Sequence, residues 1–208
     1  MALDTRDNLI SSVQDTLNRS DLDSVVPDWI EMAEAEFNRV LRVRQMYARA
    51  TASASTQFVS LPSDFLEMRN IQIDSSPPHA LEYLTPERMD DIRYDNNNPT
   101  GKPFYYTIQG NTVELYKTPE TTYTLQIGYF KKVDALTTSN TSNFILDNWP
   151  DLYVYQILSH SSPYLMEDER LPVWQGRASQ IMRDIMIQDE NAKYSGSTVK
   201  MRPRNFFV

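Results

Sequence analysis

Residues 24–44 read SVVPDWIEMAEAEFNRVLRVR. Three features make this stretch a helix. Pro27 suits the first turn, where a missing N–H costs nothing. Asp28, Glu31, Glu34 and Glu36 fill the first half and Arg39, Arg42 and Arg44 the second, which is the order the helix dipole favours. Ile30, Ala33, Phe37, Val40 and Leu41 recur at 3–4 spacing and mark one apolar stripe. At about 1.5 Å per residue such a helix spans roughly 30 Å. The pattern runs on toward Arg49 and predicts the central element of a bundle, with Phe37 inside it.

Working outward, residues 4–18 form a first helix on which Leu9, Ile10, Val13 and Leu17 share a face. The polar break at 18–21 folds the two helices into a hairpin. Composition shifts at Thr51. The run TASASTQ (51–57) reads as a loop or strand edge, and 58–61 as a short strand stopped by Pro62. Residues 68–74 (MRNIQID) alternate as a strand after a turn at 64–66, and 81–84 are a further candidate. Thr85 and Pro86 start a short helix, as N-cap and first helical residue, that ends near Tyr94. DNNNPTGKP (95–103) reads as an exposed loop. Two alternating runs flank Gly110-Asn111, a two-residue hairpin signal. A third strand covers 122–131, so the middle of the chain is an antiparallel β unit. After a polar loop at 137–143, a helix opens at Trp149-Pro150 and is ended or kinked by Pro163. A last helix starts near Asp168, with Trp174, Ala178, Ile181 and Ile185 as its stripe and Gly196 as its stop.

This order predicts an α+β fold. Helices within 4–49 and 147–194 form an antiparallel bundle, 51–135 is a β-rich insertion, 1–194 is one domain, and 195–208 is an extended C-terminal arm.

The chain has 208 residues, a net charge of −8 and no cysteine. Disulfides, thiolate nucleophiles and cysteine zinc sites are excluded. An acidic chain is a poor general binder of nucleic-acid phosphates. No apolar run approaches the roughly 20 residues that span a bilayer, and the N-terminus lacks the apolar core of a signal peptide. The expectation is a soluble protein with no membrane partner.

Catalytic motifs are missing as well. His79 falls in a loop, and Ser159 and His160 are helix neighbours whose side chains point about 100° apart, which is no nucleophile–base pair. The sequence has no phosphate-binding loop, no dinucleotide fingerprint, no HExxH and no GxSxG. The acid clusters at 90–91 and 167–169 lack the ligand alternation of a calcium loop. No catalytic, cofactor-binding or metal-binding residue is therefore assigned. Paired carboxylates of the glycosidase kind stay open among 28 acids, although nothing singles out a pair. The abundance of Tyr, Trp, Met and Arg suits an interface protein.

The C-terminal SGSTVKMRPRNFFV (195–208) is unlike the rest, with Lys200, Arg202 and Arg204, no acid, and an apolar end, Phe206, Phe207 and Val208. A basic stem with an aromatic tip is suited to docking. These six residues are the candidate partner-binding residues.

Several strings taken as a set resemble a family of tailed-phage head-to-tail adaptors of the podovirus tail-tube type. They are WIEMAEAEFNRVLRVRQM (29–46), LPSDFLEMRNIQI (61–73), LEYLTPERM (81–89), PFYYTIQGNTVEL (103–115), LQIGYF (125–130), WPDLYVYQIL (149–158) and PYLMEDERLPVW (163–174). The resemblance covers roughly residues 25–195. It implies a structural virion protein at the neck between head and tail, assembled in the host bacterial cytoplasm. Such a protein forms a homo-oligomeric ring, typically dodecameric, that joins the portal protein to the tail nozzle or tail tube. DNA is a partner only as the genome passing through the lumen, and no cofactor is implied. The alternative is a tail-associated cell-wall hydrolase using paired carboxylates; a soluble monomeric binding module is a second rival.

Overall fold

The computed structural model describes residues 3–97, 99–166 and 169–194. The chain divides into two units. One, 1–45 with 133–208, holds the helices; the other, 46–132, holds the strands.

In the helical unit, α1 (Arg6–Leu17) is capped by Thr5, which accepts from the Asn8 N–H, and closed by Asn18 in the left-handed region. α2 (Val26–Val40) starts with Pro27 in its first turn. The helix ends at Val40 rather than reaching Arg49. Leu41 turns extended, and the Arg42 guanidinium donates to the carbonyls of Asn38 and Leu41, at 2.9 and 2.6 Å. A cation that satisfies the last carbonyls stops a helix as firmly as a glycine does.

α4 (Phe144–Asn148) is capped by Asn143. It leads into α5 (Pro150–Leu165), which carries Pro163 inside its last turn. Pro163 therefore does not end the helix. Ser159 and Ser161 bond back to the carbonyls of Tyr155 and Leu158 in the turn before it. α6 (Leu171–Tyr194) buries Trp174, Ala178, Met182 and Ile185, with Met182 taking the place expected for Ile181.

The centre of this unit is α5, not α2. α1, α2, α4 and α6 all pack on α5. Its Tyr153 is fully buried, edge-on to the equally buried Phe37 ring of α2 at 5.0 Å. Near the other end of the pair Trp29 meets Tyr164, which makes α2 and α5 antiparallel.

In the β unit, a single turn of 3₁₀ helix (Arg44–Met46) leads into β1 (Tyr47–Ala54), where a helix had been extended from the sequence. The others are β2 (Phe58–Ser60), β3 (Phe65–Ile73), β4 (His79–Ala80), β5 (Glu82–Tyr83), β6 (Tyr105–Gln109), β7 (Thr112–Tyr116) and β8 (Tyr123–Lys131). They form two four-stranded sheets, ordered β1-β8-β3-β4 and β2-β7-β6-β5, around one apolar core that includes Ile71, Ile73, Leu115, Leu125 and Ile127. Pairing is antiparallel except between β5 and β6. Leu81 passes the chain from one sheet to the other, so the expected strand at 81–84 is two short ones. The expected hairpin is β6–β7, with Gly110 at φ 59°. α3 (Pro86–Asp95) follows Thr85, which sits at the N-cap without a side-chain bond.

The loop after α3 is not simply exposed. Gly101 and Pro103 are buried, and the backbone bonds of Gly101 N–H to Thr118 O and of Thr118 N–H to Pro99 O tie it down. Gly101 has φ 144°, a conformation only glycine adopts without strain.

Gly128, mid-way along β8, lies opposite Arg49 on one side and Asn70 on the other. Tyr47 and Asn70 lean over it and share a hydrogen bond of 3.3 Å. A methyl group at 128 would overlap both the Tyr47 hydroxyl and the Asn70 side-chain oxygen. Gly128→Ala is therefore expected to cost about 1–3 kcal/mol in denaturant unfolding, and Asn70→Ala in the same chain to recover part of it. An unchanged midpoint would mean that the two side chains swing aside freely.

Candidate functional site

Two sets of residues stand out in the structure, those that fix the frame and those left exposed. The frame is fixed by buried polar groups.

Glu34 lies on the buried face of α2, one turn before Phe37, and is 6% exposed. Its Oε1 accepts from the Leu136 N–H at 2.8 Å and from the Tyr153 hydroxyl at 3.1 Å. The Tyr153 oxygen in turn accepts from Asn143 Nδ2 at 2.7 Å, and the same amide donates to the Asp134 carbonyl. One turn further on, Asn38 accepts from the Val133 N–H at 2.8 Å. The chain entering the helical unit at Val133 is thus stitched to α2 at two points and, at a third, to Asn143, the cap of α4, which links it to Tyr153 of α5. Burial pushes the Glu34 carboxyl above its ordinary range, against the pull of the two donors. Burial, and then the nearby Glu34 charge, push the Tyr153 phenol far up, so it stays a donor.

The chain leaving the helical unit is held by Asp189 of α6, 5% exposed. It accepts from the Arg44 N–H at 3.0 Å and pairs with Lys193 at 3.0 Å. In the β unit, Glu114 of β7 is 3% exposed and pairs with Arg93 of α3 at 2.8 Å. It also accepts from Gln57 and Gln109, at 2.8 and 2.9 Å. Arg93 donates on to the Leu115 carbonyl and lies over the Tyr116 ring, which fixes α3 on its sheet. Tyr129 donates to Asp64 at 3.0 Å, and burial together with that carboxylate pushes its phenol up to about 12.

The residues weighed for catalysis fall elsewhere. The Ser159 hydroxyl donates to the Tyr155 carbonyl and not to His160. His160 lines a polar notch of about 220 Å³ with Glu36, Gln156, Ser159, Gln175 and Ser179, and sits 3.6 Å from Glu36. Burial lowers its pKa, with Glu36 opposing and Arg39 assisting. Among the described residues no group of three or more His, Asp or Glu is placed to hold a metal ion, and no helix is long and apolar enough to cross a membrane. His79 packs edge-on against Phe104 at 4.9 Å.

Lys200, Arg202, Arg204, Phe206, Phe207 and Val208, the partner-binding candidates from the sequence, lie outside the described residues. The polar anchors are not singled out by the sequence, although two of them, Glu34 and Asp189, sit on apolar stripes. Glu34 interrupts the stripe Ile30–Ala33–Phe37, and Asp189 falls four residues after Ile185 on the buried stripe of α6. An acid on an apolar stripe must find donors or be lost from the core.

The exposed surface is unusually apolar in places. On the helical unit Met32, Tyr164, Met166, Val173 and Ile187 are all more than half exposed; on the β unit Phe58, Tyr83 and Tyr94 are. Large apolar groups left in water on a well-fixed frame suit a protein that makes contacts through its surfaces. The match to known families agrees. The chain matches the model of the SU10 adaptor protein family over residues 4–202, nearly its whole length, and belongs to that family. It is a phage structural adaptor protein. A comparison with curated proteins finds no match.

Proposed function

We propose that this chain is the head-to-tail adaptor at the virion neck, forming a dodecameric ring that joins the portal protein to the tail nozzle or tail tube. The observation that carries this reading is the family match over residues 4–202. Composition and surface support it. A net charge of −8 suits a lumen through which DNA passes without being gripped, and the exposed apolar side chains suit lateral and axial contacts between subunits. Residues 1–194 act as the adaptor domain and 195–208 as its partner-binding arm, against the portal or a neighbouring subunit. Lys200, Arg202 and Arg204 speed and orient docking, with an effect that fades in salt. Phe206, Phe207 and Val208 provide apolar burial, and repetition around the ring multiplies weak single contacts. The protein is not an enzyme and uses no cofactor in this reading.

Electron microscopy of the chain mixed with its portal is the test. Rings stacked on the portal are expected, and monomers that ignore the portal would overturn the reading. Deleting 201–208 should leave the melting curve nearly unchanged and abolish assembly; normal assembly of the truncated chain would remove the arm from the mechanism. Cell-wall degradation by the purified protein, lost on changing a single Glu or Asp, would favour the hydrolase instead.

A further inference from the structure

We propose that the open edge of β1 is a strand-docking site, and that its occupant is the segment 197–202 of a neighbouring copy of this chain. The inference rests on the ring-and-arm reading above and names the surface that the arm meets.

The observation is a contrast among sheet edges. A free edge presents unpaired N–H and C=O groups and invites another strand, so folded proteins blunt it by shortness, bulges or charge. Here β4 and β5 are two residues long and β2 is three. β3, whose far side is open beyond the reach of β4, is irregular there, with two register shifts in its pairing with β8. β1 has none of these protections. It is eight residues long, ends its sheet, and pairs with β8 from Tyr47 to Ala54 without a bulge. Its sequence, YARATASA, has no proline and one charge, Arg49. Among the described residues no strand lies on its other side.

The side chains say what fits. Ala48, Ala50, Ala52 and Ala54 face the sandwich core, but only Ala54 is fully buried; the other three stay partly exposed. Methyl groups along a sheet edge leave a shallow apolar shelf. An incoming strand with larger apolar residues at alternate positions would cover it. In this chain the sequence STVKMR (197–202) has that form, with Val199 and Met201 alternating with Thr198, Lys200 and Arg202. Six extended residues reach about 20 Å, within the roughly 27 Å of the eight-residue edge. Pro203, which has no N–H, would end the pairing.

The chain has no cysteine, so introduced cysteines report contacts cleanly. Full-length chains carrying Ala48→Cys, Ala50→Cys or Ala52→Cys are paired with Val199→Cys or Met201→Cys and oxidised after assembly on the portal. At least one pair is expected to give disulfide-linked ladders of the adaptor, absent before assembly. In parallel, Val199→Pro should weaken assembly by roughly tenfold or more while Val199→Ile does not. Cross-links from β1 to the portal protein, or β1-to-β1 cross-links without a cysteine in the arm, would overturn the assigned occupant. Normal assembly of Val199→Pro would overturn strand pairing. If deletion of 201–208 blocks assembly but no β1 cross-link forms, this inference fails and the arm reading survives. If the deletion is harmless, both fail.

Discussion

Phe37→Ala is expected to lower the unfolding free energy by about 3–5 kcal/mol, the usual cost of truncating a fully buried phenylalanine. Phe37 is 0% exposed and stands edge-on to Tyr153 at 5.0 Å. The substitution removes apolar area, leaves a cavity between α2 and α5, and deprives the Tyr153 ring of its aromatic partner, which is itself worth roughly 0.5–1.5 kcal/mol. Because α5 is where the other helices of the unit meet, the loss should appear in helical circular dichroism as an earlier denaturant midpoint. A change under about half a kilocalorie would show that the α2–α5 contact is not the core of this unit.

Glu34→Ala should be comparably damaging for a different reason, while Glu34→Gln should not. Alanine leaves the Leu136 N–H and the Tyr153 hydroxyl without their acceptor in a buried place. At about 1–3 kcal/mol per orphaned group the loss is roughly 2–6 kcal/mol. Glutamine keeps an oxygen there and removes the charge. The sign with pH follows from the raised carboxyl of the native state. Above the ordinary value of 4.5 the unfolded chain has released its proton while the native state still holds it. The contribution of Glu34 is therefore greatest in acid and declines as pH rises from 4.5 toward the raised native value. Glu34→Gln should lack that decline, so its stability relative to wild type should climb as pH rises above 4.5 and level off once the native carboxyl has ionised. A constant difference across that range would mean the carboxylate is better solvated than its burial implies.

The bulk of the architecture was legible in the sequence because it rests on local signals. The stripe of residues 26–37, the hairpin at Gly110-Asn111, the strand 123–131 and the stripe on α6 are periodicities that burial imposes directly on a chain. So are the absence of a cysteine and of catalytic motifs, which depend on composition and spacing alone. The resemblance carried by the strings between residues 25 and 195 agrees with the family to which the chain belongs.

Other features were decided only by tertiary structure. β1 was only half legible: 51–57 reads as a loop or strand edge, but 47–50 continue a helical pattern, because YARATASA is rich in alanine, which favours helices in isolation; eight residues of pairing with β8 outweigh that preference. The centre of the helical unit moved from α2 to α5 because a helix's own amphipathicity does not say how many neighbours will pack on it. Gly128 reads as an ordinary strand glycine until Tyr47 and Asn70 are seen to close over it. Glu34, Asn38, Asn143 and Asp189 look like surface polar residues along the chain. They become anchors only when backbone groups arrive beside them, Leu136, Val133 and Arg44 from far along the chain and Asp134 from nine residues away. A buried polar group is defined by its partner, and here the partner is often more than ninety residues away; periodicity carries no information over that distance.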